Sequence, residues 1–221
     1  MTSCEKVTGE GPVVSETRNI VNFSGVDFRV AGEVYVNQDP AYKVELNAQQ
    51  NILNELETYV SNGRLVIRFK NGVKVRDYDP IRIMVSAPEI NHLRLSGSGN
   101  ITGTGILSST RMDMDISGSG NINVIGLNTA FLDANISGSG NIKVNSGTAT
   151  EENLKISGSG SIDLVNVAAN KATTRTSGSG EMRVNASQSL NVTISGSGSV
   201  YYKGTPAVNT SISGSGRVIQ I

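Results

Sequence analysis

The chain has 221 residues and balances 19 Lys and Arg against 19 Asp and Glu, so its formal charge is zero. That removes the basic excess a nucleic-acid binder needs, and no nucleic-acid partner is expected. One Cys and one His allow neither an internal disulfide nor a His-based metal centre, so no metal or cofactor is expected. The 37% hydrophobic content can still build a core, although no apolar run reaches the ~18 residues of a membrane span.

The one cysteine, Cys4, stands four residues from the start, preceded by Ser3 and followed by Glu5 and Lys6. A bacterial lipoprotein begins in this way after its leader is removed, so Cys4 is the expected lipidation site and residues 1–18 the expected tether. Membrane contact would then run through the lipid anchor alone. From about residue 19 the pattern turns to short β-strands: Val26, Phe28 and Val30; Val34 and Val36; Val44 and Leu46; Leu65, Ile67 and Phe69; Ile81, Ile83 and Val85. Asn71-Gly72 marks a turn. Asn51 to Tyr59, with Ile52, Leu53 and Leu56, is the one stretch with helical spacing. No Pro/Gly/Ser linker divides the chain, so residues 19–221 are expected to form one domain with irregular rungs up to about 95.

The tetrapeptide Ser-Gly-Ser-Gly then recurs seven times, beginning at Ser96, Ser117, Ser137, Ser157, Ser177, Ser195 and Ser213. Self-similarity every 18–21 residues is the mark of a solenoid, in which one rung cannot bury its own apolar face and stacks on the next. Apolar residues precede six of the seven copies by one position (Leu95, Ile116, Ile136, Ile156, Ile194, Ile212, with Thr176 in the fifth) and follow every copy at position +5 (Ile101, Ile122, Ile142, Ile162, Met182, Val200, Val218). The positions between are polar. Alternation of this kind with β-branched residues means strands that bury one face. The expected fold is therefore all-β, a right-handed single-stranded β-helix, since parallel crossovers are overwhelmingly right-handed. Seven rungs would give a rod on the order of 30 Å.

Both glycines of each tetrapeptide share the parity of the buried side chains. A tight corner there explains them, through lack of room for a side chain or through positive φ. A second corner is expected near Gly105, Gly126, Gly147, Asn166 and Gly204. Stacking would align Asn100, Asn121 and Asn141, followed by Ser161, into one ladder.

Candidate chemistry is sparse. No G-x-S-x-G elbow accompanies the abundant serine, and His92 lies just before a buried strand position. Asp113 and Asp133 occupy equivalent positions of consecutive repeats, with Asp115 beside them. That cluster could hold a cation or supply an acid and a base, balanced against Arg94 and Arg111 as a solvated face.

The segment Phe23-Ser24-Gly25-Val26, the strand Gly63-Arg64-Leu65-Val66-Ile67 and the iterated Ser-Gly-Ser-Gly-Asn-Ile resemble the putative auto-transporter adhesin family with a head GIN domain. The resemblance covers nearly the whole chain from about Ile20. It implies a right-handed β-helix with the Gly-Ser-Gly motifs at its tight turns, a role in cell adhesion, and association as a trimer. The combined expectation is a non-enzymatic lipoprotein of the bacterial outer membrane or surface, binding a host or cell-surface glycan or protein. Its rival is a polysaccharide-active enzyme on the same scaffold. The last repeat stops at Ile221 with an open strand edge, so a homo-oligomer closing that edge is also expected.

Overall fold

The computed structural model describes residues 5–221; Cys4 lies outside them. The amino-terminal half contains β1 (Glu5–Thr8), β2 (Val13–Thr17), β3 (Gly25–Phe28), β4 (Glu33–Gln38) and β5 (Lys43–Gln49). After helix α1 (Gln50–Glu55) come β6 (Leu56–Ser61), β7 (Arg64–Phe69), β8 (Val73–Arg76) and β9 (Arg82–Ala87). The repeats supply β10 (His92–Gly97), β11 (Asn100–Gly118), β12 (Asn121–Gly138), β13 (Asn141–Val144), β14 (Gly147–Gly158) and β15 (Ser161–Asp163). They end in β16 (Val167–Gly178), β17 (Glu181–Gly196), β18 (Ser199–Lys203), β19 (Ala207–Gly214) and β20 (Arg217–Gln220).

These strands wind into a β-solenoid of about six turns, bounded by the seven tetrapeptides. Three parallel ladders run along it. The serine ladder stacks β10 on the ends of β11, β12, β14, β16, β17 and β19, in register from His92↔Asp113 to Gly196↔Gly214. A second ladder follows each tetrapeptide and joins the start of β11 to β12, β13, β15, β17, β18 and β20. A third, shorter ladder passes through Leu107, Leu127, Gly147 and Val167. Apolar residues from all three ladders meet in one continuous core, from Phe23 to Val200. Each fully buried Val, Ile or Leu contributes roughly 1.5–3 kcal/mol.

The two glycines of each tetrapeptide answer overlapping demands. The first turns the chain with positive φ, +129° at Gly158, while the second, buried in every copy but the last, sits at a crowded approach of successive rungs. A Cβ on Gly160 would meet the carbonyl of Gly140 and lie 2.9 Å from Ile136 Cγ2. From the second copy onward the first glycine thus meets both demands, conformation and room, while the second meets that of room. The second corner is less regular than its glycines suggest. Gly147 and Gly204 have positive φ and Val165–Asn166 form a turn, but the strand runs unbroken through Gly105 and Gly126. Pairing near Gly105 is interrupted by a register shift between Gly103 and Ile106.

The amino-terminal half departs from chain order. β3 and β4 form the rung beneath the first repeat, and β7 and β9 form the rung beneath that one. The chain therefore enters one rung inside the stack and returns below itself. Antiparallel pairs β2–β5, β5–β9 and β6–β7 continue these ladders outward. Within the segment expected as a tether, β1 pairs with β8 and β2 with β5. Helix α1 buries Ile52 and Leu53 but stops at Glu55, short of the expected Tyr59. From Leu56 onward the β-branched and aromatic run Thr58-Tyr59-Val60 pairs with β7, and pairing overrides the weak helical spacing. At the opposite end, Val208 and Ile212 of β19 are exposed. Among the described residues, no helix is long and apolar enough to cross a membrane.

Candidate functional site

Stacking at about 4.8 Å per rung turns each repeat position into a column of side chains. Two kinds of column result. In the asparagine column, Asn121 Nδ2 donates to Asn100 Oδ1 (2.9 Å), Asn141 Nδ2 to Asn121 Oδ1 (2.8 Å) and Ser161 Oγ to Asn141 Oδ1 (2.7 Å). These are the ladder residues expected from the repeat. Each link uses an amide or hydroxyl donor of one rung and the side-chain carbonyl oxygen of the rung before, so the column ties rungs together.

The serine column is different. Ser117, Ser137, Ser157, Ser177 and Ser195 face outward on successive rungs, and their hydroxyls have no hydrogen-bond partner among the described residues. Each is followed by glycine, which contributes no side chain, while the position two residues before it carries long polar ones such as Lys155 and Arg175. The result is a trench of about 680 Å³ with serine along one side and Arg94, Asp115, Asn135, Lys155 and Arg175 along the other. That volume lies in the range of ligand clefts, roughly 300–1,000 Å³.

The aspartate cluster forms as expected in register, Asp113 beside Asp133 and then Asn153. Its carboxylates are already engaged. Arg111 Nε donates to Asp113 Oδ1 at 3.1 Å, its Nη2 pairs with Asp133, and Asn153 Nδ2 donates to Asp133 Oδ1 at 2.8 Å. Asp115 accepts from Asn135 Nδ2 at 3.0 Å. Among the described residues, no group of three His, Cys, Asp or Glu side chains is placed to hold a metal ion. An exposed arginine bridge of this kind contributes about 0–1 kcal/mol and leaves no pair of free carboxylates flanking a cleft.

His92 stands next to this network, with Nε2 3.6 Å from Asp115 and Nδ1 3.9 Å from Asp113. Burial, then the nearby Arg64 guanidinium, holds its pKa below the usual imidazole range, against the pull of the two aspartates. With the ring neutral, Nε2 can accept from Arg64 Nη1 at 3.2 Å. No serine hydroxyl hydrogen-bonds to it among the described residues, so the elements of a Ser-His nucleophile are not brought together.

A family described as "putative auto-transporter adhesin, head GIN domain" matches residues 22–206. The chain belongs to this family. The head GIN architecture also appears in solved structures that superpose over nearly the entire chain. A putative adhesin from Bacteroides fragilis, 24% identical, matches with a TM-score of 0.92 over 97% of this chain and 100% of its own. A protein described as a putative lipid binding protein from Parabacteroides distasonis, 26% identical, matches at 0.84 over 98% and 100%. A putative adhesin from Parabacteroides merdae, 23% identical, matches at 0.81 over 98% and 99%. No curated protein matches the chain. An adhesin-type family points to the cell surface or envelope. The motifs that carried the resemblance fall inside the matched span of the head GIN domain.

Two features of this head GIN domain were not legible in the repeat arithmetic. One is the trench, which depends on which hydroxyls remain unspent after folding. The other is Glu152, which takes an inward position between Leu132 and Ala172 and is 2% exposed, with neither carboxylate oxygen partnered. The alternation of Glu152 with Leu154 and Ile156 was the available signal for its inward direction.

Proposed function

We propose that this protein is a non-enzymatic adhesin of the bacterial envelope that holds a glycan along the serine trench. The observation that carries this reading is the column of exposed, unspent hydroxyls from Ser117 to Ser195 in an open cleft. Sugars are recognised by many short hydrogen bonds to hydroxyl groups, and a rigid ladder supplies donors and acceptors already in place. Family membership and the adhesin names of similar structures support the same reading. The engaged state of Asp113, Asp115 and Asp133 supports binding over cleavage.

Lipidation at Cys4 would tether the rod to the outer membrane or cell surface, and a second copy would cover the exposed Val208 and Ile212 of β19. Purified protein screened against neutral and acidic glycans, scored for retention and for new reducing ends, tests the functional reading. Retention without cleavage is expected. Cleavage of any retained glycan contradicts it and restores the enzyme alternative.

A further inference from the structure

We infer that the trench selects acidic polysaccharide, through Lys155 and Arg175 acting as paired receptors for carboxylate or sulfate groups. This deepens the adhesive reading above and rests on it. Lys155 and Arg175 are direct register partners on adjacent rungs of the serine ladder, so their stems leave the sheet about 4.8 Å apart. Like charges directly opposite on neighbouring strands destabilise a sheet, and no carboxylate is paired with either cation among the described residues; the trench carboxylate Asp115 is the register partner of Arg94 and Asn135. Lys155 has no ion pair or hydrogen bond among the described residues, and Arg175 has only a 3.4 Å contact from Nη1 to Asn153 Oδ1.

The neighbouring cations behave otherwise. Lys171 is paired with Glu151 at 3.0 Å and Arg111 with two aspartates. The fold therefore neutralises these charges beside the trench and, among the described residues, leaves three cations without an ion pair along it, Arg94 in register with Asp115 and Lys155 and Arg175 in register with each other. An anionic group between them would relieve the repulsion and accept charge-assisted hydrogen bonds, the fork of Arg175 matching a planar carboxylate. Ser157 and Ser177, two residues further along each strand, lie where the sugar hydroxyls adjoining that anion would reach. Uncharged glycan would gain only the serine contacts.

The test uses the full chain, with heparin and polygalacturonate as acidic probes and dextran as a neutral one, measured by calorimetry at two salt concentrations. Wild type is expected to bind the acidic probes at least about tenfold more tightly than dextran, and more weakly at high salt. Lys155→Gln with Arg175→Gln should lose that advantage, while Arg175→Lys retains part of it and Lys171→Gln and Asn121→Ala leave it intact. The double variant should melt no lower than wild type, since it removes a repulsion. Equal binding of dextran and acidic probes, or no effect of the double variant, overturns the inference and leaves the adhesive reading standing. Binding to none of the probes overturns both.

Discussion

Replacing Gly158 by alanine is expected to destabilise the protein by roughly 3–5 kcal/mol, combining the cost of a non-glycine residue in a strained conformation with that of overpacking. Gly158 has φ of +129°, and a Cβ there would collide with the carbonyl oxygen of Gly138 one rung back. That oxygen already accepts the backbone N–H of Ser159 at 3.0 Å, so it cannot move without opening the corner of the stack. Gly97 is the internal control. Its φ is similar, +110°, but a Cβ would meet nothing within 4 Å. Gly97→Ala should therefore show the conformational cost alone, about 1–3 kcal/mol. For a chain of this length the larger loss corresponds to a fall in melting temperature of about 10 °C. Equal melting points for the two variants would show that inter-rung contact does not constrain the corner.

Glu152→Leu is expected to stabilise the protein at pH 7 by about 2 kcal/mol, because it removes an unpaired buried carboxyl at an apolar position. Burial pushes the Glu152 pKa well above the usual carboxylate range. In the unfolded chain this group ionises near its ordinary value, so the unfolded state releases its proton first as pH rises. The native state, still holding the proton, is then progressively disfavoured. Wild type should lose up to about 1.4 kcal/mol per pH unit from just above pH 4.5 until the raised value is reached, relative to the variant. His92 acts in the opposite sense: its lowered pKa means stability is lost as pH falls below about 6.5. Subtracting the Glu152→Leu profile from wild type cancels the His92 contribution. A difference that stays constant between pH 4.5 and 7 would show that Glu152 is not buried and unpaired in solution.

The solenoid was legible because its physics is periodic. A rung of fixed length repeats the same inward residues, so Ile116, Ile136 and Ile156 announce a column through their spacing alone. The asparagine ladder was legible for the same reason, since identical residues at identical rung positions must stack. The amino-terminal half was not. β3 and β4 sit above β7 and β9 although they precede them in the chain, and no spacing in the sequence records which strand lies under which. The helical spacing at Asn51 to Tyr59 was half right, because Leu56 to Ser61 found a partner in β7.

At the candidate site, residue identity was legible but residue availability was not. Asn121 and Ser137 look alike as polar ladder positions. Only the folded structure separates the asparagine whose side chain is tied to Asn100 and Asn141 from the serine whose hydroxyl is open. Likewise Arg111 and Lys155 are both exposed cations, yet one is bound into a carboxylate network and the other stands free of ion pairs among the described residues.

The measurement that bears most directly on this account is the footprint of a bound acidic glycan on the intact protein, read by amide chemical shifts or hydrogen exchange. Perturbations should centre on Ser137, Lys155, Ser157 and Arg175 and fade along the serine column in both directions. The asparagine column at Asn100, Asn121 and Asn141 should remain unchanged. A footprint on the asparagine column, or on the separate cleft between Tyr35 and Met84, with the serine trench unperturbed, would contradict it.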